Sequence, residues 1–198
     1  QVNPNPQKCK KQFLPQTSHN IEKSRNFAII LLWNDNFRGI RMKIMFVCHG
    51  NICRSPMAEF IFKKMLEEKG LSNKFSVSSC ATSSEEIGFN GIGNPVYPPA
   101  RAELKKHGIE CVGKRAVQLK SDDYAKYDMF IGMDSNNIRN MHRILGGDPE
   151  GKIHKLLSFA GSDRDVADPW YSGRFDVAYR DIYDGCEGLL KTLMEVKQ

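Results

Sequence analysis

One cysteine in this 198-residue chain is placed for nucleophilic chemistry. Cys48 opens the stretch Cys48-His49-Gly50-Asn51-Ile52-Cys53-Arg54-Ser55, which follows the apolar run Lys43-Ile44-Met45-Phe46-Val47 and precedes the helical pattern Pro56-Met57-Ala58-Glu59-Phe60-Ile61-Phe62. A loop between a strand end and a helix start can turn backbone N–H groups inward and encircle a tetrahedral oxyanion. A free thiol, with a reference pKa of about 8.5, is only slightly ionised at neutral pH. Inward N–H groups, a helix N-terminus and an adjacent guanidinium favour the thiolate, which is the nucleophile. Arg54 offers five donors in a planar fork suited to two equatorial phosphoryl oxygens, which a lysine would lack. A buried strand-end cysteine and a surface arginine are the bland alternatives, and the neighbouring residues weigh against both.

The rest of the stretch suits a loop of this kind. Gly50 tolerates positive φ and Asn51 tolerates left-handed geometry, although a tight strand-to-helix turn asks for the same residues. Ser55 can cap the following helix and donate to the Cys48 sulfur, and Pro56 falls in the first helical turn, where its missing donor costs little. Transfer of a phosphoryl group to sulfur also needs a proton for the departing oxygen. Asp168, followed by Pro169, is a loop carboxyl of the required type, but sequence alone ranks it among many surface aspartates.

The elements that must position these groups alternate between strand and helix. Residues 43–48 read as a buried first strand and 56–69 as a helix stopped by Gly70. Phe75 to Cys80 alternates as a second strand. Asn94-Pro95-Val96-Tyr97-Pro98-Pro99 is a turn feeding a helix over 99–107. Residues 116–119 fit a short strand or an extended approach, and 127–133 a third strand followed by a helix from Ser135 to Leu145. Residues 152–157 fit a fourth strand, and Phe175 to Val196 a long amphipathic helix. This order predicts an α/β three-layer sandwich with a mainly parallel sheet and a site at the carboxyl ends of its strands.

Composition sets the remaining bounds. The formal charge is +6, but residues 1–41 hold seven basic and two acidic side chains, while 42–198 hold 22 basic and 21 acidic, so the folded part gives no polyanion-binding signal. Residues 1–41 read as a partly flexible N-terminal extension, non-native or read-through in origin, with 42–198 as a single catalytic domain. A membrane-surface anchor or a packed extra helix is the alternative for that extension. Its apolar segment 27–33 is too short to span a bilayer, and no small-residue processing site follows it. Cysteines at 9, 48, 53, 80, 111 and 186 show no disulfide framework, which points to a reducing, cytoplasmic compartment. His142 and His154 lack metal-ligand spacing.

From Met42 almost to the C-terminus the chain resembles the low-molecular-weight protein tyrosine phosphatase family. The motif V-C-x-G-N-x-C-R-S-P is matched by Val47 to Pro56, and D-P-[YW]-Y by Asp168-Pro169-Trp170-Tyr171. Ser79-Cys80-Ala81-Thr82-Ser83, Lys106-His107-Gly108-Ile109 and Met133-Asp134-Ser135-Asn136 are further matches. The resemblance implies a four-stranded parallel sheet flanked by helices, of flavodoxin-like type. It implies hydrolysis of protein phosphotyrosine and small aryl phosphomonoesters through a Cys48 phosphocysteine, with Arg54 holding phosphate and Asp168 as general acid and then base. Inorganic phosphate is the product. No cofactor, metal, nucleic acid, stable membrane association or second subunit is implied.

The same resemblance gives supporting roles. Ser79 and His107 would hold Asn51, and Asp134 would brace the site, cap a helix, or do both. Cys53 would either fill space or form a reversible disulfide with Cys48. Ile52 would wall a flat ring, where phosphoarginine-preferring members often carry threonine. His49, Glu85, Trp170 and Tyr171 would form the rim. Glu85 stands where an aromatic residue often appears and makes that rim less hydrophobic. The alternatives are a thiol-dependent arsenate reductase, a protein-arginine phosphatase and a non-enzymatic oxyanion-binding signalling module. Cys80, Cys111 and Cys186 lack the close downstream pair expected of the thioredoxin-linked reductase.

Overall fold

The computed structural model describes residues 41–195. Nearly all of the expected extension, including the 27–33 apolar segment, lies outside the described residues, as does Val196. The sheet has four parallel strands in the order β2-β1-β3-β4: β1 (Met42–Cys48), β2 (Phe75–Ala81), β3 (Met129–Gly132) and β4 (Ile153–Lys155). The helices are α1 (Arg54–Glu68), α2 (Pro98–Lys106), α3 (Ser135–Leu145), the single turn α4 (Pro169–Ser172) and α5 (Phe175–Glu195).

β1 is a central strand covered on both faces, which is why it reads as a continuous apolar run rather than an alternating one. The period of two still sorts its side chains. Ile44, Phe46 and Cys48 join the core built with α1, α2 and α5, whereas Met45 and Val47 join Phe130, Met141 and Leu145 on the α3 side. Cys48 therefore leaves the sheet on the α1 face, at the carboxyl end of the strand. There the chain turns straight into α1.

Element boundaries differ from the periodicity where polar anchors intervene. α1 begins at Arg54, with Pro56 inside its first turn, so the oxyanion loop and the helix overlap. β3 starts only at Met129 because Asp128 faces the neighbouring strand, its carboxylate accepting from the Lys43 amide at 2.7 Å. The fourth strand stops at Lys155, since β4 pairs only with Phe130–Gly132. Leu156–Ala160 then forms a 3-10 turn tucked under α5. That turn approaches so closely that a Cβ on Gly188 would collide with the Phe159 carbonyl. Residues 116–119 form no full strand. Their one contact with the sheet is an isolated bridge to Ala81, through Ala81 N–H to Val117 O at 2.7 Å and Leu119 N–H to Ala81 O at 2.8 Å.

Candidate active site

The Cys48 sulfur sits at the base of a loop tied down by one asparagine. Asn51 has φ 57°, the single left-handed non-glycine residue among those described. This geometry aims its backbone N–H at Cys48 Sγ, 3.2 Å away. The Asn51 side chain makes the geometry affordable for a non-glycine residue. Its Nδ2 donates to Ser55 Oγ at 2.9 Å and Ser79 Oγ at 2.8 Å, and its Oδ1 accepts from the Val117 amide at 3.0 Å. Ser55, thus used as an acceptor, has one proton left to give. With Cys48 as the thiolate, Sγ can only accept, and it lies at 3.0 Å, against 3.3 Å for the Cys80 carbonyl. Two donors therefore converge on the sulfur and stabilise negative charge there.

Arg54 is 4% exposed, and each arm of its fork is engaged by a carboxylate. One arm donates to Asp134 Oδ2 and the other to Asp168 Oδ2, each at 2.6 Å. Burial works against its charge, but Cys48, Asp168 and Asp134 outweigh that and raise the guanidinium further above its ordinary value. Both roles weighed for Asp134 coexist, since its Oδ1 also caps α3 by accepting from the Asn137 amide at 2.7 Å. Asp168 is held from both sides: Arg54 takes Oδ2, while Oδ1 accepts from the Trp170 amide at 3.1 Å, capping the short α4.

The rim residues are placed unevenly. His49 Nε2 lies 2.9 Å from Glu85 Oε2, and this hydrogen bond pulls the Glu85 carboxyl below its ordinary range. Tyr171 is exposed, whereas Trp170 is 54% exposed, with its ring 5.3 Å from that of Tyr97. Ile52 is only 8% exposed, so most of its surface serves the core and a small edge is left for any ligand. Cys53 is buried beside the loop. Burial first, then the charges of Cys48 and Asp168, push its thiol up to about 12.

His107 corrects the expected support of Asn51. It stacks on Tyr179 with ring centroids 3.7 Å apart, and its Nε2 lies 3.4 Å from Glu103 Oε1. None of the three Asn51 side-chain bonds goes to it. The network runs instead from Ser79 Oγ to Glu59 Oε2 at 2.6 Å, with Glu59 balanced by Lys63 at 2.5 Å and Lys114 at 3.4 Å. Lys114 also donates to the Ser79 carbonyl at 2.8 Å. Glu59 carried a readable signal: an acid among the buried α1 positions Met57, Ala58, Ile61 and Phe62 demands a charged or hydrogen-bonding partner. Lys114 and Tyr97 carried none, because only the fold brings them here. Among the described residues, no cluster of three or more His, Cys, Asp or Glu side chains could hold a metal.

A doubly wound α/β domain with a cysteine-to-arginine loop, at the junction of its first strand and first helix, defines an oxyanion-handling thiol enzyme. Residues 43–198 match the low molecular weight phosphotyrosine protein phosphatase family, and the chain belongs to it. It is similar to the low molecular weight protein-tyrosine-phosphatase YfkJ of Bacillus subtilis, 38% identical over 159 residues that cover 79% of this chain and 99% of that protein. The crystal structure of YfkJ superposes with a TM-score of 0.75 at 36% identity, covering 82% of this chain and all of that one. A Drosophila arginine phosphatase is also similar, with a TM-score of 0.66 and 30% identity over 76% of this chain and 96% of that one. The chain is thus a metal-independent, cysteine-dependent phosphatase acting on phosphotyrosine and aryl phosphates. Among the described residues no helix is long and apolar enough to cross a membrane.

Proposed function

We propose that the physiological substrates are phosphotyrosyl proteins, and that Cys48, Arg54 and Asp168 carry the reaction in two displacements. The Cys48 thiolate attacks phosphorus, an S–P bond forms and the P–O bond to the phenol breaks. Asp168, as the carboxylic acid, gives its proton to the departing oxygen. Water then attacks phosphorus, the Asp168 carboxylate takes its proton, the S–P bond breaks and inorganic phosphate leaves. Ser55 supports the sulfur as leaving group in that second step, and Arg54 with the loop N–H groups holds the equatorial oxygens throughout. Because Asp168 and an incoming phosphate dianion compete for the same arm of Arg54, substrate binding loosens the Asp168 carboxylate just where a proton must be handled. Residues 42–198 are the catalytic unit, acting as a cytoplasmic monomer without a nucleic-acid partner.

The observation that carries this reading is the pairing of the doubly hydrogen-bonded Cys48 sulfur with a buried Arg54 linked directly to Asp168. Rapid-quench mass spectrometry of Asp168→Ala turning over an aryl phosphate should find phosphate on the Cys48 peptide. Full activity in Cys48→Ser would refute the mechanism. Phosphoarginine is the second reading, supported by the likeness to the Drosophila arginine phosphatase. The Ile52 edge and the Trp170–Tyr97 ring pair favour an aromatic leaving group instead. Matched phosphotyrosyl and phosphoarginyl peptides divide the two: kcat/KM for phosphotyrosine should be higher by at least about tenfold, or roughly 1.4 kcal/mol. Faster phosphoarginine hydrolysis would reverse the assignment.

A further inference from the structure

Between β2 and α2 the chain builds a small hairpin whose tip is a phenylalanine. Ile87 pairs with Gly93 in an antiparallel bridge, the Gly88 amide donates to Ile92 O at 3.0 Å, and the Gly91 amide donates to Gly88 O at 2.8 Å. Asn90 closes the turn by accepting from the Ile92 amide at 3.0 Å. Phe89 stands on this turn fully exposed, with Ile92 half exposed next to it. The base is fixed backbone to backbone. The Asn94 amide donates to Glu86 O and its carbonyl accepts from the Ala116 amide, both at 2.8 Å, and a Cβ on Gly93 would collide with the Ala116 carbonyl.

The hairpin rises from the mouth of the catalytic site. Glu85 is joined to His49, next to the nucleophile, and the Glu86 Cγ lies 3.0 Å from where a Cβ on Gly50 would stand. Phe89 is three residues beyond Glu86, so the chain can carry it at most about 10 Å from the Gly50 side of the mouth. The residues that flank a phosphotyrosine seated on the loop fall within that span. The hydrogen-bonded turn orders the backbone that carries the ring, so contact with an apolar side chain gains buried area and costs only the ring's own rotamer freedom.

We infer that Phe89 is a specificity contact for an aliphatic or aromatic residue flanking the phosphotyrosine of a protein substrate. This rests on the phosphotyrosyl-protein reading proposed above. The acids Glu85 and Glu86 at the hairpin base, with His49 against only one of them, add a polar border that an apolar flanking residue must pass over rather than pair with. Phe89, with Ile92 beside it, is therefore the larger part of the apolar surface offered on this hairpin.

The test uses the full chain, its Phe89→Ala and Phe89→Leu variants, a small aryl phosphate, and two phosphotyrosyl peptides that differ only in leucine or glycine beside the phosphotyrosine. The unaltered chain should prefer the leucine peptide by about tenfold in kcat/KM, expressed in KM. Phe89→Ala should abolish that preference and Phe89→Leu keep most of it, with aryl phosphate turnover within about twofold in all three. A preference that survives Phe89→Ala, or an equal loss on all three substrates, would overturn the inference. So would light scattering in which Phe89→Ala turns a dimer into a monomer without altering the peptide preference, since Phe89 would then serve a second copy of the chain. An unaltered chain that hydrolyses aryl phosphate but neither peptide would refute the parent reading, and this inference with it.

Discussion

Replacing Asn51 tests whether the oxyanion loop is held open by one side chain. Asn51→Ala removes the bonds to Ser55 and Ser79 and the one from the Val117 amide. At about 1 kcal/mol net for each, that is roughly 3 kcal/mol. Alanine at φ 57° adds about 1 kcal/mol of steric cost. The expected destabilisation is therefore roughly 4 kcal/mol, a fall in Tm of about 8–16 °C for a domain of this size. Asn51→Gly loses the same bonds but takes the left-handed conformation freely. Its extra freedom in the unfolded chain returns part of that advantage, leaving glycine ahead of alanine by about 0.5 kcal/mol. Urea unfolding of both variants, with kcat/KM on an aryl phosphate, reads both quantities. Activity should fall more than stability explains, because the Asn51 N–H no longer points dependably at the sulfur. A loss below about 1 kcal/mol in both variants would refute the network, and alanine outperforming glycine would refute the left-handed constraint.

Peroxide should oxidise the Cys48 thiolate to a sulfenic acid, and the Cys53 thiol should condense with it, releasing water and leaving a disulfide that a thiol reductant reopens. Because the Cys53 thiol is pushed up to about 12, this closure should be slow at neutral pH and speed up as pH rises. Peptide mapping that finds only Cys48 sulfinic and sulfonic acids would reject the disulfide. Asp148 predicts acid behaviour remote from the site: burial opposes its charge, but donors from Tyr124 and the amides of Ile153 and Lys152 prevail and hold the carboxyl below its ordinary range. A lowered native value means this stability is present above the unfolded value and is lost as pH falls through the native one. Asp148→Asn should therefore flatten the acid limb of the unfolding free energy, and an unchanged limb would count against those bonds. A chain beginning at Met42 should keep the Tm and kcat/KM of the longer one, and a loss of several degrees would show that the first 41 residues cover part of the domain.

What could be read directly from the sequence was chemistry confined to neighbours. Cys48, Asn51, Arg54 and Ser55 lie within one loop and helix start, so their joint spacing already constrains where a sulfur, a turn and a guanidinium can stand. The parallel sheet was legible for a related reason: β1 and β3 announce themselves as apolar runs and β2 as an alternating one, while strand ends set by polar anchors such as Asp128 escape periodicity. Support of the loop is a different kind of information. Asn51 needs partners for three side-chain hydrogen-bonding positions, and the chain supplies them from residues 55, 79 and 117, with Glu59 and Lys114 behind Ser79. No periodicity links those positions, so motif likeness nominated His107, while the stack on Tyr179 carries it elsewhere. Glu59 was the one member of this outer layer with a physical signature, because a buried carboxylate without a partner is too costly to leave inside α1. Its partner Ser79 passes that constraint on to Asn51, and Asn51 passes it to the sulfur. The reactive loop is thus set by charge balance just over one helical turn beyond Ser55, at a distance from the phosphoryl group that local sequence does not record.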